Sequence, residues 1–208
     1  MARRSDLAAH RKSAREAAAN LLTHLGKLPE LPGDVADEIE DAALVTAWGR
    51  GAVPRNGYGR REIEGVPIVE EPMRLVQQLG GIARGVLALG LPATAASAIA
   101  SRIALDSMPD ARRAVLQVLA AGEVLSTSAC ARQAKLHRHV ARMALEDLAA
   151  IRVVANNRQD EETDDHEGAV DWALTGDDGV IITDVFEAFH QSGGGWHETW
   201  VYTSTSPP

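Results

Sequence analysis

Apolar residues recur at helical spacing through most of the first hundred residues of the chain. A spacing of three or four places them on one face of a helix, where they can pack against a core. One such stripe consists of Val35, Ile39, Ala42, Ala43 and Thr46. Helices are predicted on this basis over residues 7–25, 34–48, 72–91 and 94–105. We therefore predict a helical N-terminal part over residues 1–104.

Residues 49–71 interrupt this helical pattern. Asn56 and Gly57 favour a hairpin turn, and Pro67 permits only an edge position in a sheet. The segment is predicted to form a protruding β-like arm. Its side chains suggest a secondary DNA contact in which arginines follow phosphates and a tyrosine stacks on a base. The residues of this contact are Arg55, Tyr58, Arg60 and Arg61. The alternative is that the arm arginines, which also include Arg50, pair with the neighbouring Glu62, Glu64, Glu70 and Glu71.

Residues 105–190 are predicted to form a different order of secondary-structure elements, with short strands among the helices. Ser107 and Asp110 resemble a capping box at the start of a helix that ends at Gly122. Further helices are predicted over 129–134 and 138–150, with a turn at Lys135 and Leu136 between them. Two helices joined by so short a turn form a helix-turn-helix unit. Short strands are predicted over 123–125, 151–155 and 169–174, and a polar loop over 157–168.

The amino-acid sequence of this segment resembles that of a known class of domain. The stretch ARRAVLQVLAAGEVLSTSACARQAKLHRHVARMALEDLAAIRVV is similar to the winged helix-turn-helix domains of bacterial transcriptional regulators of the MarR or GntR type. Lys135 stands where such domains commonly carry a turn glycine. A second resemblance, carried by ALDSMP and by VPIVEEPMRLVQQLGGIARGVLALG upstream, is to the C-terminal region of ATPases and helicases from bacterial mobile elements.

These patterns together predict the fold class. We expect a mainly α protein in which a helical N-terminal part is followed by a winged helix-turn-helix domain over residues 105–190. A Ser-Gly-Gly-Gly stretch precedes a predicted flexible tail over 191–208. Trp196, Trp200 and Tyr202 in this tail mark either a contact with a partner protein or a frayed terminus.

Charge is distributed unevenly along the chain. The net charge is −8, but residues 109–158 carry 8 basic and 4 acidic side chains, whereas residues 159–208 carry 12 acidic and no basic ones. Phosphate binding depends on the local field rather than on total charge, so the middle segment has the sign that DNA requires. The acidic loop over residues 159–168 is either a solvated loop or a surface for autoinhibition or for a basic partner.

The predicted DNA contacts follow from helical geometry. The first turns of the second helix of such a unit enter the major groove, where arginine reads guanine. With Val140, Ala144, Leu145 and Leu148 predicted inward, Arg138, His139 and Arg142 face the DNA. Lys135 and the hydroxyls at the start of the preceding helix are predicted to hold the phosphate backbone. His137 contacts phosphate or caps its helix locally. The predicted DNA-binding residues are Thr127, Ser128, Lys135, His137, Arg138, His139 and Arg142.

No catalytic, cofactor or metal site is predicted. The chain lacks the P-loop, zinc-protease and nucleophile-elbow patterns, and the i, i+2 spacing of His137 and His139 places them on different helix faces. Its single cysteine, Cys130, excludes an intramolecular disulfide and reads as a buried apolar residue. No apolar run is long enough to span a membrane, so a cytoplasmic location is expected.

The predicted function is that of a DNA-binding transcriptional regulator from a bacterium. Its partner would be double-stranded DNA, and its N-terminal helices would form a homodimer. One alternative is a non-catalytic accessory or replication-type protein of a mobile element or phage that works beside a separate ATPase. Another is a protein-interaction module that uses a winged helix as a scaffold.

Overall fold

The computed structural model describes residues 9–13, 15–17, 19–20, 23, 27–57, 62–157 and 170–191. Its backbone is mainly helical, with one small three-stranded sheet, which confirms the mainly α prediction. The elements in chain order are α1 (Gly33–Arg50), α2 (Pro72–Ala88), α3 (Ala93–Asp106), α4 (Asp110–Leu119), β1 (Leu125–Ser126), α5 (Thr127–Gln133), α6 (Arg138–Ala150), β2 (Val154–Asn157), β3 (Asp171–Leu174) and α7 (Gly176–Gln191). Helical backbone is also described at positions between residues 9 and 23.

The first three labelled helices pack against one another. The predicted stripe of α1 is buried throughout, from Val35 to Thr46. Helix α2 begins with Pro72 in its first turn, where the missing N–H costs no hydrogen bond. It buries Leu75, Leu79, Ala83 and Val86. Helical periodicity was therefore a sufficient guide to this part of the core.

The predicted start of α4 is wrong in one detail. Ser107 does not cap this helix: it ends α3, and its Oγ donates to the carbonyl oxygen of Ala104 at 2.7 Å. The residue that precedes α4 is Pro109, whose side chain cannot form a capping hydrogen bond. Because α3 continues to Asp106, Ser107 is used at the helix end rather than at the next helix start.

Helices α4, α5 and α6 pack together beside the small sheet. The strand order is β1-β3-β2, and both pairings are antiparallel. Trp172 of β3 lies opposite Leu125 on one side and Asn156 on the other. The last position of β2, Asn157, lines up with Asp171 and Ser126, so a row of polar residues crosses the sheet beside the start of α5.

Helices α5 and α6 end in the same way, each with a basic residue in the left-handed region. After α5, Lys135 has φ 55°, its N–H donates to Arg132, and the N–H of Leu136 donates to the carbonyl of Ala131. After α6, Arg152 has φ 72° and an equivalent pair of hydrogen bonds runs from residues 152 and 153 to residues 149 and 148. This is the Schellman motif, in which glycine usually occupies the left-handed position.

Helix α7 resolves the prediction of a closing helix or strand near residues 179–189 in favour of a helix. It packs against α1 and α3 and buries Ile182, Val185, Phe186 and Phe189. One continuous cluster of buried residues therefore includes both the N-terminal helices and the elements after residue 104. The division of the chain at residue 104 stays a prediction.

Gly51 and Arg55 of the arm contact the helical part of the protein, whereas Val66 and Ile68 on its returning side are 81% and 70% exposed, and the protrusion of the arm stays a prediction. Backbone hydrogen bonds join Ala52 to Ile68 and Asn56 to Glu62, as expected of a hairpin. A Cβ atom at Gly49 would collide with Met108, and one at Gly51 would lie 2.7 Å from Ile151 Cδ1. Glycine thus permits a close approach that local sequence could not reveal. Tyr58, Arg60, Arg61, the acidic loop and the tail lie outside the described residues.

Candidate nucleic-acid interface

The first turns of α6 present basic side chains to solvent. Arg138 and His139 are exposed, and the side chain of Arg142, one turn further on, is 38% exposed. The opposite face of α6 is buried through Ala141, Ala144, Leu145 and Leu148. Val140 was predicted to be buried but is 40% exposed. Ala141 takes the inward position instead, because residues 141, 144, 145 and 148 form the better i, i+3, i+4, i+7 series.

His137 serves as the N-terminal cap of α6. Its Nδ1 accepts a hydrogen bond from the backbone N–H of His139 at 3.3 Å. Because Nδ1 is the acceptor, Nε2 is the ring nitrogen that can donate to another group. This geometry agrees with the capping alternative for His137 and orients the ring at the exposed end of the helix.

The start of α5 is attached to the sheet by hydrogen bonds. Ser126 Oγ accepts from the N–H of Ala129 at 3.2 Å, as an N-cap does. Thr127 Oγ1 accepts from Trp172 Nε1 at 2.8 Å, which leaves its own hydroxyl hydrogen available for another acceptor. Ser128 is exposed. Trp172 was not among the predicted site residues, since nothing local to its strand indicates a partner 45 residues away.

The structure groups five of the seven predicted residues and separates the other two. Lys135, His137, Arg138, His139 and Arg142 lie in the turn between α5 and α6 and in the first two turns of α6. Thr127 and Ser128 lie at the other end of α5. No aspartate or glutamate occurs in residues 124–145, so the whole helix-turn-helix segment contains only basic charges until Glu146.

Behind this basic surface, two arginines converge on one carboxylate of α6. Asp147 Oδ1 accepts from Arg55 Nε and Nη2 at 2.9 and 2.7 Å, and its Oδ2 accepts from Arg112 Nη2 at 2.9 Å. The side chains are 11–15% exposed. Arg112 Nη1 also donates to the carbonyls of Gly49 and Gly51 at the end of α1. The two arginines, Asp147 and Glu146 are called the arginine clamp below.

Arg55 therefore binds other protein groups and is not exposed to solvent in a way that would allow it to contact DNA. It donates to Glu146 Oε2 at 3.1 Å and to the carbonyl of Met143 at 3.2 Å, in addition to Asp147. This placement argues against its predicted phosphate contact, because such a contact would break several part-buried, charge-assisted hydrogen bonds. Arg55 does form ion pairs, as the alternative prediction had it, but its partners are Glu146 and Asp147 of α6 rather than glutamates of the arm. Arg50 does pair with Glu70, at 3.2 Å.

A second concave surface has the opposite charge. A groove of about 890 Å³ between α1, α3 and α7 is lined by Asp34, Glu38, Asp41 and Asp184 together with small apolar residues. Burial, and then the neighbouring Asp184, Asp37 and Glu40, raise the pKa of the Asp41 carboxyl. The negative charge of this groove is unsuited to binding a phosphate backbone. Within residues 27–57, 62–157 and 170–191 and the shorter described pieces, no three potential ligands are grouped to hold a metal ion.

No family model, no curated protein and no solved structure matches the chain. Among the helices in the described parts of the chain, none has the length and apolar character needed to cross a membrane.

Proposed function

We propose that residues 105–190 form a winged helix-turn-helix domain through which the protein binds double-stranded DNA. On this proposal it acts as a transcriptional regulator in the form of a homodimer built on its N-terminal helices. The order α4, β1, α5, α6, β2, β3 is the order expected of such a domain. The antiparallel pair β2 and β3 corresponds to the wing.

The observation that carries the proposal is the exposed basic start of α6. Arg138, His139 and Arg142 occupy the turns that enter the major groove in helix-turn-helix proteins, and the opposite face of the helix is buried in the core. Their role is to contact base edges, as arginine does with guanine O6 and N7. No carboxylate lies in the sequence between residues 124 and 145 to oppose the DNA phosphates.

The proposed backbone contacts come from the flanking residues. Lys135 lies in the turn immediately before α6, and the hydroxyls of Thr127 and Ser128 can donate to phosphate oxygens. His137 can donate from Nε2 while Nδ1 maintains the helix cap. These contacts position the domain on the duplex but carry no sequence information.

The test is duplex binding by the full chain and by two double variants. Replacing Arg138 and Arg142 with alanine should relax sequence preference and weaken binding, by about 1–3 kcal/mol for each arginine that reads a base. The matched control replaces Arg74 and Arg84, which are exposed on α2, and removes the same charge elsewhere. Because α2 belongs to the proposed dimer-forming helices, sedimentation of each variant establishes that its oligomeric state equals that of the wild type. The proposal fails if the wild-type chain does not bind duplex DNA at low salt, or if both double variants lose affinity equally.

Selection from random duplex DNA separates the roles. A palindromic consensus, together with a dimer in solution, supports a regulator, because a twofold protein reads two related half-sites. Enrichment without a consensus instead supports the accessory protein that works beside a separate ATPase.

A further inference from the structure

Glu146 is shared between the arm and the proposed DNA-binding surface. Its Oε2 accepts from Arg55 Nη1 at 3.1 Å, and its Oε1 lies 3.6 Å from Arg142 Nη1. We propose that Arg55 is a positioning residue for DNA recognition: it holds Glu146, and thereby leaves Arg142 able to exchange that carboxylate for DNA. This inference rests on the proposed function of α6.

The two arginines hold Glu146 with different strength. Arg55 is 11% exposed, lies within hydrogen-bond distance and is oriented by three further bonds to α6. Arg142 is 38% exposed, and its 3.6 Å separation exceeds that of a good hydrogen bond. Exposed pairs of this i, i+4 kind are weak and are screened by salt, whereas desolvated pairs are screened much less. The ion pair of Glu146 with Arg55 is therefore stronger than its ion pair with Arg142.

Removing Arg55 strengthens the interaction of Arg142 with the Glu146 carboxylate. Asp147 would keep Arg112 as its partner, at 2.9 Å, but Glu146 would be left with the ion pair to Arg142. The carboxylate would then compete directly with DNA for Arg142, and it would also repel nearby phosphates. DNA affinity should fall although Arg55 itself does not reach the DNA.

The position of Arg55 depends on the arm. The backbone around it is fixed by the hydrogen bond from Asn56 N–H to Glu62 and by the one from Glu64 N–H to the Pro54 carbonyl. Arg55 therefore reaches Glu146 and Asp147 only while these arm contacts persist. Arg55 lies 91 residues before Glu146 in the sequence, and through this side chain the arm becomes part of the proposed DNA-recognition surface.

The experiment is a double-mutant cycle on duplex affinity, measured with the full chain. Its members are the wild type, Arg55→Ala, Glu146→Gln and the double variant, with Arg50→Ala as a matched control. Arg50 is also an arm arginine in an ion pair, but its partner is Glu70. We expect Arg55→Ala to weaken binding about tenfold in the wild-type background, and about twofold or less when Glu146 is already Gln. Arg50→Ala should change affinity by about twofold or less.

Glu146→Gln alone should bind the duplex as well as the wild type or better, because it removes the carboxylate that competes with DNA for Arg142. A merely structural clamp would instead make Glu146→Gln lose affinity, and a loss as large as that of Arg55→Ala would overturn the inference, because two residues in contact are non-additive in either case. Circular dichroism and urea unfolding of each variant give the folded fraction. If Arg55→Ala does not fold, Arg55→Lys serves instead, since lysine keeps the charge but cannot hold three acceptors in a fork. Its loss of affinity should likewise disappear in the Glu146→Gln background.

The possible failures are distinguishable. If the wild-type chain does not bind duplex DNA, the proposed function and this inference both fail. If the wild type binds but Arg55→Ala binds equally well, or loses the same factor in both backgrounds, the inference is overturned and the proposed function stands.

Discussion

Lys135 and Arg152 offer a matched pair of substitutions that separate stability from binding. Both residues occupy the left-handed position of a Schellman motif, one before α6 and one after it. Lys135 is placed at the proposed DNA surface, whereas Arg152 lies at the opposite end of a 13-residue helix, about 20 Å away at 1.5 Å per residue. Changing each to glycine removes one positive charge from each end of α6.

The expected stability change is small and similar for the two variants. Relief of the left-handed backbone gains about 1–2 kcal/mol, because glycine has no Cβ to crowd the carbonyl. The greater conformational entropy of glycine in the unfolded chain destabilises the fold by about 0.5–1 kcal/mol. Removal of the cation at a helix C-terminus destabilises it by about 0.3–1 kcal/mol. These contributions nearly cancel, so the free energy of unfolding should change by about 1 kcal/mol or less, which is roughly 2–4 °C or less in Tm for a chain of this size.

The expected binding changes differ. Lys135→Gly should weaken duplex binding by about the same factor for all sequences and lower the slope of log K against log salt by about one unit. Arg152→Gly should leave both quantities unchanged. The assays are thermal unfolding and titration of a labelled duplex at several salt concentrations. Equal losses of affinity in the two variants would refute the assignment of Lys135 as a local phosphate contact.

Two further predictions concern stability alone. Gly81 and Gly85 lie within α2, and a Cβ at either would meet no atom within 4 Å, so Gly81→Ala and Gly85→Ala should each stabilise the protein by about 0.5–1 kcal/mol in urea unfolding; a loss of stability would show that something contacts this face. Burial raises the pKa of the Cys130 thiol from 9.0 to about 11. Above pH 9 the unfolded thiol ionises while the folded one stays protonated, so stability should fall between pH 9 and 11 more steeply than it does in Cys130→Ala. Parallel pH profiles of the two proteins would contradict this.

The sequence predicted well those features that depend on local signals. The bounds of α6 were correct, because its start follows the turn at Lys135 and its apolar spacing ends with Ala150. Helix α7 was ambiguous, since its valines and isoleucines suit a strand as well as a helix. Packing against α1 and α3 decides the matter, because Ile182, Val185, Phe186 and Phe189 meet that surface only at helical spacing.

The arginine clamp could not be predicted, because its members are distant in sequence. Arg55 and Asp147 are 92 residues apart, and Arg112 and Asp147 are 35 apart. Neither periodicity nor capping connects such positions. A weaker signal was present in Glu146 and Asp147, two adjacent carboxylates on a helix that was expected to face phosphates. Their presence there implied nearby cations to compensate them.

The clamp and α7 together predict how DNA half-sites must be spaced. Arg112 binds Asp147 of α6 and the end of α1 at once, and α7 follows β3 directly and packs on α1 and α3. Helix α6 is thus tied to the N-terminal helices by an ionic contact and an apolar one. If those helices form the dimer, as we propose, the separation of the two α6 helices is fixed rather than adaptable. Inserting about five base pairs between the half-sites of a selected palindrome turns one half-site by about half a helical turn and should abolish the cooperative binding of the dimer. Retained affinity for that duplex would show that the link between α6 and the dimer is flexible.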